Sequence, residues 1–307
     1  MVRGLPGRVV HGDGEKSLTG LPRFPDLKAV ELEDRPVFQD FLGRFPSEAC
    51  EMTFANIFIW RELENPRWTI LNGNLCVLCA PPSEPPYFLP PAGGNALPAT
   101  VDACLELNPR LARVPEGFAN ANGGSHPRDP DPDNFDYVYA SADLICLKGK
   151  RFDGKRNRIR KFERVPGHRY LSLNRGHLDG CRELFERWFN GKDDATRSIH
   201  CEKVAILEAL AHFDALGLTG GAVEVDGRIQ AFSIGEPLAP DTAVIHIEIA
   251  NPEFPGLAQF INREFVTNAW ASFPFINREQ DIGHPGLRRA KMSYYPHHLV
   301  KKYAIGM

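Results

Sequence analysis

The segment INREQDIGHPGLRRAKMSYYP, residues 276–296, sets an amide, two carboxylic acids, several cations and a tyrosine pair directly after an aromatic strand. In that arrangement Glu279 and Asp281 can hold or deprotonate an amine, and Asn277 can orient a carbonyl. Arg288 and Lys291 can neutralise phosphate, and Tyr294 can donate a proton. A second constellation is AVIHIEIANPEFPGLAQFIN. Regular alternation along a strand puts His246 and Glu248 on one face, as base and orienter, with Ile245, Ile247 and Ile249 on the other. The turn after it carries Gly256 before a helix, whose free N–H groups attract phosphate or carboxylate. The third is the basic run KGKRFDGKRNRIRKFER, residues 148–164. Its arginines can grip phosphate in bidentate fashion, while Ile159 and Phe162 anchor the helix to a core.

Each constellation also has a purely structural reading. The acids after residue 276 can form a salt-bridge network pinning the C-terminal helix, His246 and Glu248 a satisfied polar pair, and the basic run a solvated helix face. Metal chemistry is not expected. In CVLC, Cys76 and Cys79 fall on opposite faces of a strand-like run with no second cysteine pair nearby, and the adjacent His297 and His298 are badly spaced for joint ligation from a helix. Neither a Walker loop nor a G-x-S-x-G elbow is present in the sequence.

The elements that must position these residues follow from local pattern. Residues 1–23 are Gly-rich and polar and read as a loosely held tail. Val37 to Trp60 gives two helices broken at Pro46, with Ser47 a candidate N-cap. WTILNGNLCVLC is a hairpin around Asn-Gly. Ala99 to Leu111 reads as a helix, residues 114–134 as a Pro/Gly/Asp-rich linker, and FDYVYASADLICL as a strand followed by the basic helix. Then come a strand at Tyr170–Leu173, helices at Leu178–Asn190 (stripe Leu184, Phe185, Trp188) and Glu202–Leu216, an Asp-Gly hairpin, the AVIHIEIA strand, a helix and the FPFIN strand. The two halves share a weak common plan of hairpin, connector, strand and Gly-containing turn. The class is α/β or α+β, with mixed sheets and intervening helices.

At 307 residues the chain exceeds one ordinary core, so two domains are expected. A net charge of −3 gives no global pull toward nucleic acid, so any such affinity must reside in the local basic run. Seven cysteines, an odd and scattered set, do not make a disulfide framework and point to a reducing cytosol. No export signal is visible at the start, and nothing approaches the about 20 apolar residues of a membrane span.

With DYVY, GKRNRIRKF, AFSIGE, PGLAQFIN, INREQDIG and GLRRAKMSYYP in order, the sequence from about Pro25 to Tyr303 resembles an uncharacterised bacterial family. That family is related to the C-terminal, lysyl-transferring domain of phosphatidylglycerol lysyltransferase. The resemblance implies two tandem GNAT-like acyltransferase domains, each a mixed sheet flanked by helices, as in lipid lysyltransferases and Fem peptidyltransferases. It places them at residues 24–134 and 135–307, the second carrying the site. It implies a cytoplasmic acyl or aminoacyl transferase. Aminoacyl-tRNA or acyl-CoA would be the donor, with no tightly bound cofactor, and a small molecule, peptide or lipid headgroup the acceptor. The R-x-x-I-R-K helix, with Arg156, Asn157 and Arg160, would hold the donor phosphates. Glu248 or Glu279 would stand near the acceptor. Two other readings are a non-catalytic RNA-binding or scaffold protein using residues 148–164, and a small-molecule N-acetyltransferase. The chain departs from the family in having Ile249 and Asn251 where Lys and Asp are common.

Overall fold

Two tight turns organise the sheets. Asn72-Gly73 and Asp226-Gly227 both take positive φ at each residue, the backbone that lets a two-residue hairpin follow the twist of its strands. The computed structural model describes residues 20–82, 84–190 and 197–306. Most of the expected tail and the side chain of Trp188 lie outside the described residues.

Along the chain the first half holds β1 (Lys28–Ala29), α1 (Arg35–Arg44), α2 (Phe54–Ile59), α3 (Arg61–Glu64), β2 (Arg67–Leu71), β3 (Asn74–Cys79), β4 (Tyr87–Phe88), α4 (Leu97–Leu107), β5 (Leu111–Pro115), α5 (Glu116–Asn122) and β6 (Arg128–Pro130). It continues with β7 (Asp136–Ala140), α6 (Ser141–Cys146), α7 (Asp153–Phe162), β8 (His168–Ser172), α8 (Arg175–Asn190), α9 (Arg197–Ala211), β9 (Thr219–Val225), β10 (Arg228–Ala239), β11 (Thr242–Ala250), α10 (Leu257–Ala269), β12 (Phe275–Asn277), α11 (Pro285–Met292), β13 (His298–Val300) and β14 (Lys302–Ile305). Three local expectations shift. Thr53 rather than Ser47 caps α2, its side chain accepting from Asn56 N, while Ser47 Oγ instead accepts from Ala49 N. FDYVYASADLICL breaks after Ala140 into α6. The supposed linker contains α5 and β6, because its extended end finds a strand partner far away in sequence.

The seven-stranded sheets repeat one plan. The first runs β1-β2-β3-β4-β5-β14-β6, and the second, read from its opposite edge, β8-β9-β10-β11-β12-β7-β13. In each the fourth and fifth strands are parallel, β4 with β5 and β11 with β12, and their neighbours antiparallel. These are two mixed sheets flanked by helices, the tandem GNAT-like arrangement. The chain crosses from the first sheet to the second between β6 and β7, and returns between β13 and β14. Its last strand therefore lies inside the sheet of the first half.

The largest apolar cluster spans both halves, joining Phe38, Phe58 and Trp68 to Phe185, Phe232 and Ile249. A second cluster lies under α6, α7 and α10, where Ile159 and Phe162 anchor the basic helix as their spacing predicts. Phe162 packs on Phe260 of α10 at 4.9 Å between ring centroids. Gly256, at the N-cap of α10 with φ 99°, lies against the α7 backbone: a Cβ there would collide with the Arg158 carbonyl. We therefore expect Gly256→Ala to cost about 1–3 kcal/mol in chemical denaturation, since it adds both a left-handed backbone penalty and a backbone clash. Unchanged stability would show that α7 and α10 are not locked together here.

Candidate functional site

Strand β12 pairs with β11 only from Thr242 to Val244, against Phe275 to Asn277, and past that point the two parallel strands part. Arg278 and Glu279 run along β7 instead, through Arg278 N to Tyr137 O and Tyr137 N to Glu279 O. Among the described residues, one edge of β11 is thus left without a strand partner beyond Val244, and we call the space beside it, toward which side chains of α7, α10 and the end of α11 converge, the crevice.

A β-bulge decides which side chains face it. Ile234 pairs with Ile247 and Gly235 with Ile245, so His246 is the extra residue. This overturns the alternation expected from the sequence. Ile245 packs in the cluster under α7 and α10, whereas Ile247 and Ile249 join the cluster shared between the halves. His246 turns toward the first half and Glu248 toward α10, and they do not act as a pair.

On the crevice side Glu248 accepts from Arg278 Nη2 at 3.0 Å and from Asn262 Nδ2 of α10 at 2.8 Å. The Arg278 guanidinium also lies 4.8 Å from the Tyr294 ring centroid and 5.5 Å from that of Tyr139. Arg278 Nη1 and Asn262 Oδ1, a donor and an acceptor, are each buried with no partner among the described residues. Lys155 comes in from α7, its ammonium 3.8 Å from the Tyr294 ring centroid and 2.6 Å from Ser293 Oγ. Burial, with Arg278 and Arg158 nearby, pushes it down to about 8. Burial raises the Tyr294 phenol well above its ordinary range, so it stays protonated.

The other predicted residues divide into separate groups. Glu279 accepts from His246 Nδ1 at 2.7 Å and from Asn56 of α2 at 3.2 Å, and Glu236 meets the other imidazole nitrogen at 3.0 Å. Asp281 is fully buried and bound by Arg288 at 2.7 and 2.8 Å, by the Tyr137 hydroxyl and by Gly283 N. Burial opposes that charge, yet Arg288 and these donors hold the carboxyl below its usual range. The pair pins the start of α11. Asn277 donates to Asp136 and to Glu48 O and accepts from Glu279 N, which fixes the strand end and leaves its amide no carbonyl to orient. Lys291 is turned inward onto the Arg278 and Glu279 carbonyls, and burial beside Arg278 holds it down to about 8.

In the basic helix, Arg156 folds back on the Leu147 and Gly149 carbonyls and Asp153. Asn157 and Arg160 face solvent, 3.4 Å apart through Asn157 Oδ1. Gly256 meets the α7 backbone rather than open space. Sequence reading missed Lys155, Asn262, Arg278 and Tyr139. The signal for Lys155 was its place one turn before Ile159, on the anchored side of the helix.

Deeper in the molecule, Lys302 of β14 is completely buried, its ammonium 2.6 Å from both Glu51 Oε2 and Asp136 Oδ1. Glu51 also faces Arg113 at 3.5 Å, and Cys50 N donates to Asp136 at 2.9 Å. Cys50, Glu51 and Asp136 are the group of potential metal ligands drawn together among the described residues, and the ammonium already bonds both carboxylates. Two cavities lie elsewhere: one of about 170 Å³ by His177, Arg187 and Arg228, and one of about 360 Å³ by Arg23, Phe24 and Asn72. Among the described residues no helix is long and apolar enough to cross a membrane.

Residues 43–306 match the family described as Phosphatidylglycerol lysyltransferase, C-terminal. No curated protein sequence matches. A conserved protein of unknown function from Bacteroides thetaiotaomicron has a similar structure, with a TM-score of 0.85 and 29% identity over 92% of this chain and 99% of that one. L-PGS from Bacillus licheniformis is similar in fold, at a TM-score of 0.64 and 15% identity over 91% and 92% of the two chains. So is FemX, at 0.58 and 10% identity over 92% and 97%.

Proposed function

Since the chain belongs to the phosphatidylglycerol lysyltransferase C-terminal family, we propose that it moves an activated carbonyl from aminoacyl-tRNA or acyl-CoA to an amine or hydroxyl acceptor. The reaction occupies the crevice where β11 and β12 part. The observation that carries this reading is the unpaired edge of β11 running past the Glu248–Arg278–Asn262 set. An extended acyl donor can add to that edge through main-chain hydrogen bonds, and backbone N–H groups there can receive the oxyanion as the carbonyl is attacked. Exposed Arg158 and Arg160 of α7 supply the contacts for donor phosphates. Arg278 and Glu248, fixed by each other and by the tyrosine rings, orient the acceptor beside the carbonyl.

Incubation of the protein with bulk aminoacyl-tRNA and, separately, with acetyl-CoA, followed by donor binding and acyl release to added amines, tests this reading. Glu248→Gln keeps the shape but removes the counter-charge of Arg278. It is expected to lower transfer at least about tenfold while leaving donor binding within a factor of two. Binding of RNA without transfer, unaffected by Glu248→Gln, would favour a non-catalytic role for the basic helix. Acetyl-CoA as the sole productive donor would make the protein a small-molecule N-acetyltransferase.

A further inference from the structure

Each of the three carboxylates that the sequence offers for catalysis is already engaged by a cationic side chain. Glu248 faces Arg278, Glu279 faces His246, and Asp281 faces Arg288. His246 lies between two carboxylates and has no lone pair to spare as an imidazolium. A transfer reaction nevertheless has to move a proton off the attacking amine or hydroxyl. Lys155 of the basic run turns toward the end of α11, against the Tyr294 ring and Ser293 Oγ, on the crevice side. It has no carboxylate within 4 Å among the described residues, unlike Arg151 and Arg156 on the same stretch. Its neighbours are a hydroxyl, Ser293, and an aromatic face, Tyr294.

Resting on the transferase reading above, we propose that Lys155 is the proton acceptor of the transfer step, working as a neutral amine. The acceptor nitrogen or oxygen forms a bond to the donor carbonyl carbon. That carbon's bond to the leaving ribose oxygen or thioester sulfur breaks, and the proton passes from the acceptor to Lys155 Nζ and on to the leaving atom. No electrons are gained or lost overall. The charged groups around the amine fit this use. Arg158 on its own helix and Arg278 beyond β12 disfavour a third positive charge. Among the described residues Glu248 on β11 is the anion that acts on the amine, and it is already bonded to Arg278 and Asn262. From α11's end come Tyr294, protonated, and the uncharged Ser293.

Two measurements on the full-length protein separate this role from the reading it rests on. In the first, brief acetic anhydride labelling across pH, quantified by peptide mass spectrometry, reads the state of the amine without any substrate. Lys155 is expected to label with a midpoint near 8, whereas exposed lysines follow the ordinary value of about 10.4. A Lys155 midpoint with the exposed lysines overturns the proposal and leaves the transferase reading standing. In the second, with whichever donor the wild type uses, Lys155→Met is expected to lower kcat about 100-fold with donor binding unchanged, and to remove the acid limb of the pH–rate profile. Lys155→Arg, always charged, is expected to be no better. Recovery with Arg would show that the site needs a cation, and would overturn the proposal. Absence of transfer from both donors by the wild type would remove the transferase reading and the role of Lys155 together.

Discussion

Lys302→Ala is expected to lower the free energy of unfolding by about 3–5 kcal/mol, the cost of leaving buried carboxylates without their cation. Lys302 sits at 0% exposure with Glu51 and Asp136 on its ammonium, and Asp136 is itself at 0%. Burial works against the charge on Lys302, but the carboxylates raise it well above the ordinary range, so the group is a cation at every practical pH. Without it, Asp136 keeps its bonds from Cys50 N and Asn277 but carries an uncompensated charge, while Glu51 loses its closest cation and keeps Arg113 at 3.5 Å. Lys302→Met combined with Asp136→Asn removes one cation and one anion together. It is expected to regain about half of the loss, because a neutral isostere satisfies most of the same donors. Urea denaturation of the three proteins decides the matter. A single-variant loss below about 1 kcal/mol would mean that water reaches these groups and that they do not join the two halves.

The second large effect depends on pH. His246 has a side-chain exposure of 2% and is clamped between Glu236 and Glu279. Burial opposes its charge, but the two carboxylates lift the imidazolium from 6.5 up to about 10. The folded state therefore holds a proton that the unfolded chain gives up near pH 6.5. The stabilisation is fully present below that pH and is lost as pH rises to about 10, amounting to a few kcal/mol in all. Lys155 and Lys291, held down to about 8, act in the opposite sense, since their neutral forms are favoured by folding. The clean observable is thus the difference between wild type and His246→Gln in urea midpoints measured from pH 6 to pH 10. The wild type is expected to lead clearly at pH 6 and to converge on the variant near pH 10. A constant gap across that range would rule out a buried imidazolium.

Local chemistry made some of this legible in the sequence and long-range pairing concealed the rest. Asn72-Gly73 and Asp226-Gly227 declare their hairpins because two adjacent positive-φ residues have few other uses. Ile159 and Phe162 declare the buried side of α7 by their spacing. His246 and Glu248 mislead because a bulge is written in the partner strand's register, and inserting one residue moves everything beyond it to the other face. The aspartates and prolines before Asn134 look like linker because β6 is defined by β14, whose residues lie at the far end of the chain. The same distance hides the Lys302–Asp136 pair. At the crevice, composition pointed to the basic run and the family resemblance to Arg156, whereas the helix turns Lys155 inward.

The reciprocal crossing of the chain also constrains how the protein is made. β14 lies between β5 and β6, so the sheet nearest the start of the chain stays two separate pieces until Ile305 has been synthesised. The first half cannot finish folding while it emerges from the ribosome. It waits for β14, and a ribosome that stalls in the last turn of α11 leaves both halves with open β edges.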